Sequence, residues 1–383
     1  MTSALFSPLR LAGVDFANRI VISPMCQYMA EDGAANDWHL MHYGNLAMSG
    51  AALLFTEATA VSADGRISPH CLGLWTDEHE AAIDRFMRFS RANGGPDLKI
   101  GIQLAHAGRK ASVHRPRDGA QPLTATEGAW QTLGPSALPY DSGWHTPAAM
   151  DRALLDRVKV DFVQAAERSL RLGFDVCEFH VGHGYLLHQF LSPLSNTRDD
   201  EYGGDLVGRM RYPLEVFEAV RAVWPTDRPL GVRVSATDWV PGGWDVPATV
   251  AFVQALKQVG CDFADITTSG VDPRQKIPVG PGYQVSFAET VKRETGMPTM
   301  AVGMINDPAQ AEDIIASGQA DFVMLARGMM YDPRWAWHAA EALGATVAYP
   351  AQYARAEPSR WPQAFAHRRE TAPDTIGDMR QLK

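Results

Sequence analysis

The sequence holds few cysteines, no long apolar run and no excess of positive charge, and each shortage removes a class of function. Four cysteines (Cys26, Cys71, Cys177, Cys261) stand far apart with no Cys-x-x-Cys pair. That spacing excludes iron–sulfur and zinc-ribbon sites, leaves no disulfide framework and suits a reducing cytoplasm. Residues 1–10 lack the apolar core of a signal peptide, and no stretch approaches the ~20 apolar residues of a membrane span. Lys and Arg total 35 against 44 Asp and Glu, a net charge of -9. Such a balance argues against general affinity for nucleic-acid phosphates or anionic membranes. No Gly-x-Gly-x-x-Gly follows any strand, so a Rossmann dinucleotide domain is not expected. Internal repeats and low-complexity tracts are also missing.

What remains is a folded chain of 383 residues, 46% hydrophobic and 21% charged, enough for one large α/β domain or two medium ones. Short β-rich apolar runs alternate with segments of helical period. The strand candidates are 19–25, 52–60, 99–105, 175–181, 230–235, 263–268, 299–302 and 321–326. They are apolar on nearly every residue, as parallel strands covered on both faces should be. Asp77, Asp151 and Asp307 open helical stretches, and Gly173, Gly260 and Gly318 each sit just past a helical stretch, where a left-handed cap is wanted. Eight strand-then-helix units predict a closed (β/α)8 barrel, with a doubly wound open sheet as the alternative. Residues 1–345 form that single barrel domain in this reading, and 346–383 a Pro- and Arg-containing tail that reaches a neighbouring subunit. Residues 112–150, with five prolines, read as a long excursion after the third strand that overhangs the barrel mouth.

A barrel carries its reactive groups at the C-terminal ends of its strands. Here those ends read Ser23-Pro24-Met25-Cys26-Gln27-Tyr28, Glu57-Ala58, Gln103-Leu104-Ala105-His106, His180-Val181-Gly182-His183-Gly184-Tyr185, Arg233, Gly303-Met304 and Ala326-Arg327-Gly328. The last two suit a phosphate: glycine admits backbone N–H groups and Arg327 offers a forked charge. Tight-turn glycines beside a surface arginine would look the same. His180, His183 and Tyr185 admit three readings. Zinc lacks a His-Glu-x-x-His or a Cys or carboxylate partner. Structural histidines would cap the strand. An electrophilic pair would aim two N–H donors at a carbonyl oxygen, with Tyr185 giving a proton nearby. Cys26 is a nucleophile or a packed apolar residue. Gln103 and Arg233 suit a flat heterocycle with amide-like edges.

Asn18-Arg19-Ile20 running into 23–28, Gln103-Leu104-Ala105-His106-Ala107-Gly108-Arg109-Lys110, the His180–Leu186 stretch, Leu191-Ser192-Pro193 and Tyr202-Gly203-Gly204 together resemble the Old Yellow Enzyme family of FMN-dependent ene-reductases. The likeness runs over essentially the whole chain and is strongest to the bacterial group holding xenobiotic reductases and thermophilic-like enzymes. It implies non-covalent FMN, with Ser23, Pro24, Met25 and Cys26 lining the flavin and Cys26 tuning its potential. Ala58, Gln103 and Arg233 would hold the ring, and Gly303, Ala326 and Arg327 the phosphate. His180 and His183 would bind the substrate oxygen, Tyr185 would protonate the α-carbon, and Tyr28 would shape the pocket. Lys110 matches a lysine whose role the likeness leaves open.

Two departures stand out. Arg355 fits an arginine that enters a neighbouring site, but no tryptophan stands beside it and Trp361 lies further on. Val302 replaces a tryptophan found in xenobiotic reductases. The implied activity is ping-pong reduction of enones, enals, maleimides and nitro compounds by NADPH or NADH, in a homodimer or homotetramer without metal. The rivals are a flavin-free phosphate-binding lyase or isomerase, a flavin enzyme acting on RNA, and a noncatalytic flavin binder.

Overall fold

The computed structural model describes residues 3–363, so the part of the expected tail beyond 363 lies outside the described residues. Eight parallel strands close into a barrel: β1 (Ile20–Ile22), β2 (Leu53–Ala60), β3 (Lys99–Ala105), β4 (Val176–Val181), β5 (Leu230–Ser235), β6 (Phe263–Thr267), β7 (Thr299–Ala301) and β8 (Phe322–Leu325). Each pairs with its neighbours in sequence, and β8 returns to β1 through Leu325 opposite Ile22. Every predicted strand is present. The first is shorter than its apolar run because the chain leaves the ladder at Pro24, which has no N–H to give.

Helices follow each strand: α1 (Asp37–Ala47), α2 (Asp77–Asn93), α3 (Arg152–Arg171), α4 (Leu186–Leu191) with α5 (Leu206–Arg221), α6 (Val246–Gln258), α7 (Val285–Thr295), α8 (Pro308–Ala316), and α9 (Arg327–Tyr331) with α10 (Trp335–Ala342). Asp151 and Asp307 cap α3 and α8 by accepting N–H bonds from Leu154 and Ala309, whereas Thr76 caps the helix that begins at Asp77. The excursion at 112–150 is mostly irregular, carrying two short 3-10 turns and a two-residue ribbon between Leu133–Gly134 and Ala148–Ala149. Its backbone carbonyls are met from outside: Arg198 donates to Pro135 and Met150, and Arg109 to Leu138 and Pro139. Among the described residues no helix is long and apolar enough to cross a membrane.

Inside the barrel, the lower half is dry. An N-terminal hairpin (Leu9–Leu11 with Val14–Phe16) plugs the bottom, Phe16 meeting Phe322 edge-on at 5.3 Å between ring centres. Above it lie Phe55 and Phe263, 6.4 Å apart. These rings explain two strand glycines: a Cβ on Gly101 would lie 2.5 Å from Phe55, and one on Gly231 would lie 2.5 Å from Phe263. Large and small residues thus alternate around one layer, which leaves the polar chemistry to the layer above.

Gly231→Ala should therefore destabilise the fold by about 1–3 kcal/mol through overpacking. Adding Phe263→Leu should recover part of that loss, measurable as non-additivity in urea denaturation.

Candidate functional site

Side chains alternate along a strand, so one register choice turns Glu178 and His180 on β4, Arg233 and Ser235 on β5, and Asp265 and Thr267 on β6 to the same side. Cross-strand pairing sets His180 opposite Arg233 and Arg233 opposite Asp265. Gln103 on β3 faces Glu178 and donates to its Oε1 at 2.8 Å. Arg233 pairs with Asp265 at 3.0 Å, both almost wholly buried. Burial pushes Glu178 well above the carboxylate range, with Asp265 repelling its charge and Arg233 opposing the rise. Burial likewise lifts Asp265, to about 6, against the pull of Arg233. Burial thus disfavours charge on both carboxyls, and the guanidinium of Arg233 opposes it at each.

Above this cluster the chain turns sharply. His183 and Gly184 both adopt left-handed backbone (φ +53° and +73°), and the His183 N–H is held by Ser235 Oγ at 2.9 Å. The Gly182 N–H donates to His180 Nδ1 at 3.2 Å, which assigns the His180 proton to Nε2. That N–H faces His183 Nδ1 at 3.1 Å, and His183 Nε2 in turn faces Thr267 Oγ1 at 3.0 Å. Thr267 and Thr268 both donate to Gln284 Oε1. Behind the turn, His188 Nδ1 accepts from the Gly184 N–H and its Nε2 meets Asp238 at 3.0 Å, both side chains fully buried. Burial depresses both site histidines well below the ordinary value, and Arg233, Lys110 and His188 add to it. They are neutral imidazoles, donors without charge. Tyr185 stacks edge-on to His180 at 4.9 Å, and burial holds its phenol protonated.

A cavity of about 400 Å³ opens beside them, lined among others by His183, Arg233, Gly303, Met304, Ala326 and Arg327. Of the predicted residues, His183, Arg233, Gly303, Ala326 and Arg327 therefore converge here, with His180 beside His183. Gly303 takes φ +124°, and a Cβ there would crowd Tyr283 and Gln284 at 3.1–3.2 Å. Ser23 is tied to the same rim, its N–H donating to Leu325 O, and its buried Oγ has no partner among the described residues. Cys26 lies within electrostatic reach of Arg233, Tyr28 and Tyr185. Burial, with Cys71 and Glu57, pushes its thiol up, so it is not a thiolate nucleophile. Tyr28 has left-handed backbone at φ +54°, and Ala58 lines a small recess together with Tyr185. Arg355 is exposed on the turn Ala351–Ala356 and is not among the residues lining the cavity of its own chain. Among the described residues no group of three or more His, Cys, Asp or Glu side chains is arranged to hold a metal.

Sequence reasoning missed Glu178, Asp265, Thr267 and Gln284. The first two were visible as charges at inward positions of otherwise apolar strands. It also missed the role of Glu57 within β2: a register slip between Phe55 and Ala58 frees its carboxylate to accept from Tyr43 Oη and the Gln27 N–H. Glu57 thereby anchors the segment just after Cys26.

If burial keeps both site histidines uncharged, their ring ¹⁵N shifts should hold neutral-tautomer values from about pH 8 down to about pH 5.5. A titration centred near about 6.5 would contradict that environment.

Comparison with known proteins gives this site its family. Residues 4–345 match the family described as NADH:flavin oxidoreductase / NADH oxidase. The chain is 44% identical over 357 residues to an NADPH dehydrogenase of Geobacillus sp. (strain WCH70), covering 93% of this chain and 99% of that protein. It is 41% identical over 357 residues to an NADPH dehydrogenase of Bacillus subtilis (strain 168), with the same coverage. Among solved structures it resembles morphinone reductase, with a TM-score of 0.74 at 26% identity over 91% of this chain and 92% of that one. The chain accordingly belongs to the NADH:flavin oxidoreductase / NADH oxidase family, that of Old Yellow Enzyme, and is an FMN-dependent, nicotinamide-using oxidoreductase on a (β/α)8 barrel.

Proposed function

We propose that the protein reduces activated carbon–carbon double bonds of enones, enals, maleimides and nitroalkenes, with NADPH or NADH as donor. The observation that carries this reading is the neutral His180–His183 pair, with His183 lining the cavity and a protonated Tyr185 edge-on to His180.

The residues present fit a flavin. Ser23 Oγ is buried without a partner among the described residues, Arg233 brings a buried guanidinium to the cavity, and Gly303 leaves backbone exposed where a Cβ would crowd its neighbours. Ser23, Pro24, Met25, Cys26, Ala58, Gln103 and Arg233 would hold the ring system, and Gly303, Ala326 and Arg327 the phosphate. Bound FMN supplies a two-electron carrier that accepts hydride from the nicotinamide and delivers it to the β-carbon of the acceptor.

The chain's own groups supply the rest. A carbonyl or nitro oxygen takes N–H donation from His180 and His183, which stabilises the negative charge that grows there as the β-carbon accepts hydride. Because the imidazoles are uncharged, they polarise the oxygen without surrendering a proton to it. Tyr185 holds a proton and gives it to the α-carbon. Tyr28 narrows the pocket, and Val302 leaves room where a tryptophan would intrude. Nicotinamide and acceptor occupy the same space in turn, which makes the kinetics ping-pong. Residues 1–345 act as one catalytic barrel, while the tail from 346 joins a dimer or tetramer in which Arg355 enters the neighbouring site. The negative net charge and scattered cysteines support a cytoplasmic enzyme with small-molecule partners.

Under anaerobic conditions NADPH should bleach the flavin band of the purified protein, and cyclohexenone or a maleimide should restore it. Persistent bleaching after enone addition would exclude this substrate class. Tyr185→Phe should slow the restoring step about 100-fold and leave bleaching by NADPH within about threefold of wild type. Equal slowing of both steps would remove Tyr185 from the proton-donor role.

A further inference from the structure

Lys110 ends the short 3-10 turn Gly108–Lys110 after β3, next to the mouth yet without a carboxylate partner among the described residues. Burial, then the neighbouring Arg109, lowers its ammonium to about 7. A lysine held at that cost has to be tied to something. Its Nζ donates to the carbonyl oxygens of His183 at 2.9 Å and Gly270 at 2.8 Å. Its charge also lies over the faces of Tyr140, at 4.7 Å, and Tyr185, at 5.3 Å.

Those two carbonyls belong to backbones in direct contact. Gly270 adopts φ +105°, and a Cβ on it would lie 2.2 Å from the His183 carbonyl carbon. From the other side, a Cβ on Gly184 would lie 2.0 Å from Gly270 O. No side chain separates the His183–Gly184 turn from the loop after β6, so two carbonyl dipoles come close together with no other donor on either among the described residues. Buried carbonyls left so would be costly. Arg109 extends the same seam, donating to Val271 O at 2.7 Å and to Leu138 and Pro139 of the excursion.

We propose that Lys110 is a positioning residue: it staples the left-handed His183 turn to the loop after β6 and so fixes the direction in which the His183 ring meets substrate oxygen. The inference rests on the proposed role of His183. It assigns to one side chain a coupling between the β3 excursion, the histidine turn and the β6 loop, which the sequence places some 70 to 160 residues apart.

The test titrates FMN-loaded protein with 4-hydroxybenzaldehyde, whose phenol oxygen probes the histidine pair through the flavin spectrum. Lys110→Met should weaken binding about tenfold, with FMN content unchanged. Lys110→Gln, one bond too short for both carbonyls, should weaken it similarly, whereas Lys110→Arg keeps the donors and should stay within about threefold of wild type. Gln also decides the matter should the Met variant fail to fold. Wild-type affinity in Lys110→Met or Lys110→Gln, or equal loss in Lys110→Arg, overturns the staple. A wild-type protein that does not bind the phenol at all instead removes the histidine reading on which the staple rests.

Discussion

A guanidinium buried inside the barrel governs the chemistry above it. Arg233 pairs with Asp265 at 3.0 Å, and burial, with Asp265 repelling its charge, pushes the Glu178 carboxyl upward. A guanidinium in a low-dielectric interior is affordable because a buried carboxylate pairs with it. The positive end of the pair faces the mouth. There it joins burial in holding His180 and His183 uncharged, and it presents a fixed cation to the cavity. The aromatic rings of Phe55 and Phe263 lie beneath, part of the dry cluster under the reactive layer.

Much of the scaffold was legible in the chain. All eight strands were readable because parallel strands buried on both faces are continuous apolar runs, and the acidic caps of α3 and α8 are local signals. The residues converging on the cavity were legible too, because a barrel brings strand ends together whatever their separation in sequence. The pairing of partners was not. Nothing local tells that His183 will meet Thr267, that His188 will meet Asp238, or that Lys110 will find two carbonyls on other strands' loops. Such contacts depend on where loops pack once the barrel has closed.

The left-handed backbone at His183 illustrates the same division. A histidine at φ +53° costs strain that an isolated turn would relieve by relaxing. Here the Ser235 hydroxyl, the His188–Asp238 pair, Thr267 and Lys110 hold it from four sides. Preorganisation of this kind holds the two neutral imidazoles in place, so that meeting a developing oxyanion takes only the redirection of their N–H groups from His183 and Thr267. The irregular excursion at 112–150 joins the same framework through Arg109, which explains how a stretch with almost no secondary structure of its own can shape a catalytic mouth.

The central claim is that His180 and His183 bind the substrate oxygen and have no part in retaining the cofactor. It is tested most directly by titrating the His180→Ala, His183→Ala double variant, loaded with FMN, with a phenol. The account predicts full FMN occupancy with phenol affinity reduced at least about 100-fold, the loss of two hydrogen bonds to a charged oxygen. Unchanged phenol affinity, or loss of FMN from the variant, would contradict it.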